Sequence, residues 1–73
     1  MSRPDPRILF GKRLRELRLA LGLSQEKLAE ITELHRNYVG GVERGERNVS
    51  LINIVKLARG LDTKPADLLE TIH

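Results

Sequence analysis

Arg36 and Asn37 stand side by side, and each carries a planar polar end able to make two parallel hydrogen bonds to one base edge. An arginine fork matches O6 and N7 of guanine, and a carboxamide matches N6 and N7 of adenine; each such pair discriminates by roughly 1–3 kcal/mol. The plainer alternative for both is an exposed, solvated helix start. His35, just before them, has a ring that can donate to a base or phosphate, or accept a backbone N–H as a helix cap. Other chemistry finds no support. The sequence holds no nucleophile–base pair, paired-carboxylate motif, phosphate-binding loop or metal-ligand spacing. Without cysteine, and with two separated histidines, neither a disulfide framework nor a metal centre is expected. No enzyme activity and no cofactor are predicted.

Charge adds direction. The formal net charge of +3 is modest, but its distribution is uneven. Residues 1–18 carry Arg3, Arg7, Lys12, Arg13, Arg15 and Arg18 against Asp5 and Glu16, while residues 62–73 carry Lys64 against Asp62, Asp67 and Glu70. One end suits a polyanion and the other does not. A solvated basic face is the alternative, and Glu16 opposes a basic membrane-surface helix over residues 7–21. No apolar run reaches about 18 residues and no signal peptide is evident, so a cytoplasmic protein with no membrane contact is expected. Seventy-three residues predict one domain over 1–73, frayed at 1–4, with no room for a separate effector domain and no small-molecule ligand evident.

Several short helices must position these groups. Phe10, Leu14, Leu17 and Leu21 step by four, three and four, the spacing of one helix face. That predicts a helix from about Pro6 to Leu21, capped by Asp5, opened by proline and ended by Gly22 in the left-handed conformation. Ser24 caps a second helix over Gln25 to Ile31, with Glu26 favouring its positive end, and Thr32 to Leu34 form a break. A third helix covers Arg36 to Arg44 and closes at Gly45. Ser50 caps a fourth, with Leu51, Ile54, Val55, Ala58 and Leu61 on an inward face. Pro65 opens a fifth, weakly capped helix through Ala66, Leu68, Leu69 and Ile72. The fold class is all-α, with a helix-turn-helix at its centre.

From Gly22 to Asp62 the order of motifs resembles the phage-repressor-type, Xre-like helix-turn-helix family of DNA-binding domains, whose fold is the five-helix lambda-repressor type. The resemblance rests on Gly22-Leu23-Ser24-Gln25-Glu26, Leu28-Ala29, Tyr38, Val42-Glu43-Arg44-Gly45, Arg47-Asn48 and Ser50-Leu51 in sequence. Leu34 to Ser50 is also similar to controller proteins of restriction-modification systems.

The resemblance implies a sequence-specific regulator of transcription that lays Arg36 to Arg44 in the major groove of double-stranded DNA. Arg36, Asn37 and His35 become base-reading candidates, and Gln25, Tyr38, Arg44, Arg47 and Asn48 backbone contacts that set register. Arg18 and Glu43 match a buried ion pair. Leu14, Leu17, Leu28, Ala29, Val39, Val42, Ile54, Leu57, Ala58 and Leu61 match the core. Two positions depart from the pattern. Gly40 and Gly41 replace residues with side chains, which implies close backbone approach to DNA or base reading confined to the first turn. Glu33 stands where the family turn has glycine, at a cost on the order of 1–2 kcal/mol. Related repressors pair into homodimers; here Leu69 and Ile72 are the interface candidates, while Leu68 is assigned to the core. The alternative is an antitoxin-like protein-interaction module using Leu9, Leu19, Leu69 and Ile72.

Overall fold

In the computed structural model, which describes residues 3–73, the Asp5 carboxylate accepts the Arg7 N–H at 2.9 Å and Pro6 opens α1 (Pro6–Ala20). Of the segment expected to fray, Met1 and Ser2 lie outside the described residues, and Arg3 and Pro4 have no regular structure. Ser24 Oγ accepts the Lys27 N–H at 2.9 Å to start α2 (Gln25–Thr32). His35 Nδ1 accepts the Asn37 N–H at 3.1 Å to start α3 (Arg36–Glu43). Ser50 Oγ accepts the Asn53 N–H at 3.1 Å to start α4 (Leu51–Gly60). Each acceptor satisfies a donor that the first turn cannot.

At α5 (Pro65–Leu69) the cap comes from inside the helix: Asp67 accepts the Lys64 N–H at 3.0 Å and the Thr63 hydroxyl. The Thr63 bond, then the Lys64 N–H, hold the Asp67 carboxyl below its ordinary pKa. This helix is shorter than expected, and Ile72 lies beyond its end. Thr32 also departs from expectation, because it completes α2 instead of breaking it, with its hydroxyl bonded back to Leu28 O at 2.7 Å. No strand occurs among the described residues.

Left-handed residues close the turns. Gly22 and Gly45 adopt φ of 70° and 77°, and Glu33 and Asp62 do so without the freedom of glycine, at 59° and 54°. At Glu33 the geometry lets the Leu34 N–H return to Ala29 O at 2.9 Å, which satisfies a carbonyl at the end of α2. Glu33→Gly should therefore raise stability by about 1 kcal/mol, or about 4–8 °C in thermal midpoint at this chain length. Calorimetry of the single variant tests it; an unchanged midpoint would mean that the Glu33 side chain offsets the strain.

The core joins all five helices through Phe10, Leu14, Leu28, Ala29, Val39, Val42, Leu57, Ala58, Leu61 and Leu68. Leu17 and Ile54, expected there, pack on it only partly buried. Leu21 falls just past α1 and is exposed. The face of α4 also differs, with Leu51 exposed and Val55 half-buried where both were expected inward. At Gly11, α1 passes the last turn of α3 so closely that an added Cβ would lie 2.3 Å from Val42 O and 2.7 Å from Glu43 O.

Candidate nucleic-acid interface

Val39 and Val42 anchor α3 in the core, and this burial turns its first residues outward. Arg36 and Asn37 are both exposed; the nearest counter-charge to Arg36 is Glu26 Oε2, at 4.0 Å from its Nη1. A contact that long between exposed groups holds little, so the guanidinium is available. His35 is committed to its cap. With Nδ1 accepting a backbone N–H, the neutral ring carries its proton on Nε2, its one remaining donor.

Behind this turn lies a buried polar cluster. Arg18 Nε and Nη2 meet Glu43 Oε2 and Oε1 at 2.6 and 2.9 Å, with side-chain exposures of only 8% and 3%. Arg18 Nη1 donates to Leu23 O at 2.7 Å, and Gln25 Nε2 donates to Glu43 Oε1 at 3.0 Å. The hydrogen bond to Glu43 raises the Arg18 pKa, against the effect of burial. Four segments are thereby tied together: α1, the turn before α2, the start of α2 and the end of α3. Gln25, expected as a phosphate clamp, instead turns its amide inward, so its backbone N–H at the helix start is what it offers an anion.

Beyond α3, the Arg44 guanidinium pairs with Glu46 at 3.0 and 3.3 Å. That hydrogen bond lowers the Glu46 pKa and raises that of Arg44. Arg47 lies with its guanidinium carbon 5.6 Å from the centroid of the Tyr38 ring, within cation–π range. Tyr38 is itself fixed to α4, because its hydroxyl oxygen accepts from Asn53 Nδ2 at 3.0 Å. Asn53 and Glu46 were not singled out from sequence. The available signals were a polar residue inside the otherwise apolar run from Leu51 to Val55, and an acidic residue between two arginines.

Gly40 and Gly41 do not leave bare backbone. Both are buried, and a Cβ added at Gly40 would meet Arg44 Nη1 at 3.1 Å, while one at Gly41 would meet Arg47 Nε at 3.1 Å. The expected open approach to the helix backbone is thus occupied by arginine side chains. Of the basic residues on α1, Lys12 and Arg15 are exposed. Arg13 is engaged within the fold, donating to Asp67 O and pairing with Glu70, both at 2.9 Å, which fastens α5 to α1.

Asn48 follows in an exposed loop, and with Arg47 it edges an apolar groove of about 130 Å³. Phe10, Val49, Ile54, Leu69 and Ile72 line that groove, so the two C-terminal interface candidates do come together. Leu69 is 42% exposed, whereas Leu51 and Ile52 at the start of α4 reach 75% and 69% and form the more prominent apolar surface. Among the described residues, no three potential metal ligands converge and no helix is long and apolar enough to cross a membrane.

Known proteins resemble this chain in sequence and fold. The helix-turn-helix family model matches residues 14–68. Control protein C.BamHI of Bacillus amyloliquefaciens is 51% identical over 65 residues, 88% of this chain and 80% of that protein. Control protein C.SmaI of Serratia marcescens is 46% identical over 65 residues, covering 89% and 77% respectively. The crystal structure of the restriction-modification controller protein C.AhdI from Aeromonas hydrophila superposes with a TM-score of 0.84 at 64% identity, over 85% of this chain and 94% of that one. With its α2–turn–α3 unit inside the matched region, the chain belongs to the helix-turn-helix family and has the architecture of a DNA-binding transcriptional regulator.

Proposed function

We propose that this protein is a controller-type transcriptional regulator that binds a specific site in double-stranded DNA as a homodimer in the cytoplasm. One observation carries the reading: the first turn of α3 presents Arg36 and Asn37 outward from a helix whose other face is locked in the core. In that role α3 is the recognition helix, and its first turn enters the major groove. Arg36 pairs with guanine and Asn37 with adenine, while the His35 Nε2–H is placed for a base or phosphate beside them. Arg44, Arg47, Asn48 and the start of α2 grip the sugar-phosphate backbone on either side.

One recognition helix touches too few bases to locate a site in a genome, and two copies related by a twofold axis multiply the readout. The apolar groove suits that axis. It runs beside Arg47 and Asn48, so a partner docked there lies next to the end of the recognition helix. Half-sites about 34 Å apart, in near-palindromic order, follow from such a dimer.

Selection of bound sites from randomised duplex gives the operator. Against that operator, Arg36→Ala or Asn37→Ala should weaken specific binding by roughly 5- to 150-fold and random-duplex binding far less, each being about 1–3 kcal/mol of base discrimination. Arg47→Ala should weaken both about equally and lower the salt slope by about one. Uniform loss in all three would remove α3 from the groove. Wild-type affinity for random duplex no higher than its charge predicts would favour a protein-interaction module instead.

A further inference from the structure

Two adjacent glycines in the middle of an eight-residue helix are costly to helix stability, and neither φ nor a close backbone neighbour requires them here. What each Cβ would meet is an arginine side chain. At Gly41 the stem of Arg47 crosses the helix surface, with Nε 3.1 Å and Cγ 3.3 Å from the Cβ position. At Gly40 the Arg44 guanidinium lies beside the place a Cβ would take, with Nη1 3.1 Å from it, and Gln25 Oε1 stands 3.4 Å from the same point. Arg47 continues onto the Tyr38 ring, and Arg44 continues to Glu46. Arg47 thus lies between Gly41 and a ring that Asn53 fixes, and Arg44 between Gly40 and the exposed Glu46 carboxylate.

We propose that Gly40 and Gly41 are positioning residues, seats that hold the Arg44 and Arg47 side chains against α3 and so aim two cations at DNA phosphates. This rests on the reading of the chain as a DNA-binding protein. A long side chain already settled in its bound orientation loses less rotamer freedom when it binds. The seats trade helix propensity for that order.

The test is a pair of variants, Gly40→Ala and Gly41→Ala, measured alone and in Arg44→Ala and Arg47→Ala backgrounds. Helix propensity should raise the thermal midpoint by about 4 °C or more for each alanine, because only flexible side chains must move. Random-duplex affinity should fall about 3- to 10-fold, with a shallower salt dependence. The ring-current shifts that Tyr38 imposes on the Arg47 methylene protons should diminish in Gly41→Ala without DNA present. In the arginine-to-alanine backgrounds the glycine substitutions should cost no further affinity, since the seat has lost its occupant.

A Gly41→Ala protein with unchanged affinity and unchanged Arg47 shifts would overturn the proposal. So would an affinity loss of the same size in the Arg47→Ala background, which would instead assign Gly41 to direct backbone approach by DNA. If wild type fails to bind random duplex, it is the DNA-binding reading that falls, and the ring-current result still decides whether the seat exists.

Discussion

Arg18→Met should destabilise the protein by about 3–5 kcal/mol, the usual cost of removing one partner from a buried ion pair. The substitution leaves the Glu43 carboxylate almost wholly buried with Gln25 Nε2 as its neutral donor, and it strips Leu23 O of the Nη1 bond. At roughly 0.05–0.15 kcal/mol per residue, a chain of this length has about 4–11 kcal/mol in total, so the loss is a large share of the margin. Urea denaturation measures the loss. Arg18→Met with Glu43→Leu should recover part of it, because no charge is then left buried, although Gln25 loses its acceptor. If the single variant stays within about 1 kcal/mol of wild type and loses only DNA affinity, Arg18 belongs to the DNA surface and not to the frame.

The second large effect concerns assembly. Leu69→Glu with Ile72→Glu should abolish the proposed homodimer, and so should Leu51→Glu with Ile52→Glu. The latter pair is the cleaner experiment, since Ile72 packs partly on the core while Leu51 and Ile52 are largely exposed. Exposed substitutions of that kind usually stay within about 0.5 kcal/mol of neutral. Leu51 and Ile52 sit in the chain between Val49 and Ile54, which line the same groove as Leu69 and Ile72. Sedimentation should show a folded monomer of 8.3 kDa. Operator affinity should fall by about 100-fold or more as the second half-site loses its tether, while weak half-site binding persists. If both double variants remain dimeric with normal operator affinity, the proposed interface is wrong.

What could be read from sequence was mostly local chemistry. Asp5, Ser24 and Ser50 reveal their roles because a cap depends on two or three neighbouring residues, and Gly22 does so because few residues turn left-handed freely. Arg18 and Glu43 lie 25 positions apart, and only the family resemblance joined them before the structure did. Other features depend on where a side chain lies after folding. Nothing near Gly41 in the sequence says that Arg47 folds back over it. In α4 the apolar residues Leu51, Ile52, Ile54, Val55, Leu57 and Ala58 occupy more than one face, so their period cannot choose the inward side. Asn53 meets Tyr38 only because α4 packs beside α3. The last turn expected of α5 is missing too, where Ile72 reaches the core without helical backbone.

Gly11 joins α1 to α3 through backbone atoms, with no side chain in between whose rotamer could yield. A joint of that kind makes the two helices one stiff body, which gives the groove its Phe10 wall, while Ile54 of α4 and Leu69 of α5 close the groove from helices packed on the same core. Two copies held through the groove would then fix the separation and the relative rotation of their recognition helices with little slack. Duplex DNA rises about 3.4 Å and turns about 35° per base pair. One base pair added between half-sites would carry the second out of phase with a dimer too rigid to follow, and the duplex would have to untwist to restore contact. In the proposed dimer the distance between half-sites would thus become part of what is recognised, alongside the identity of the bases.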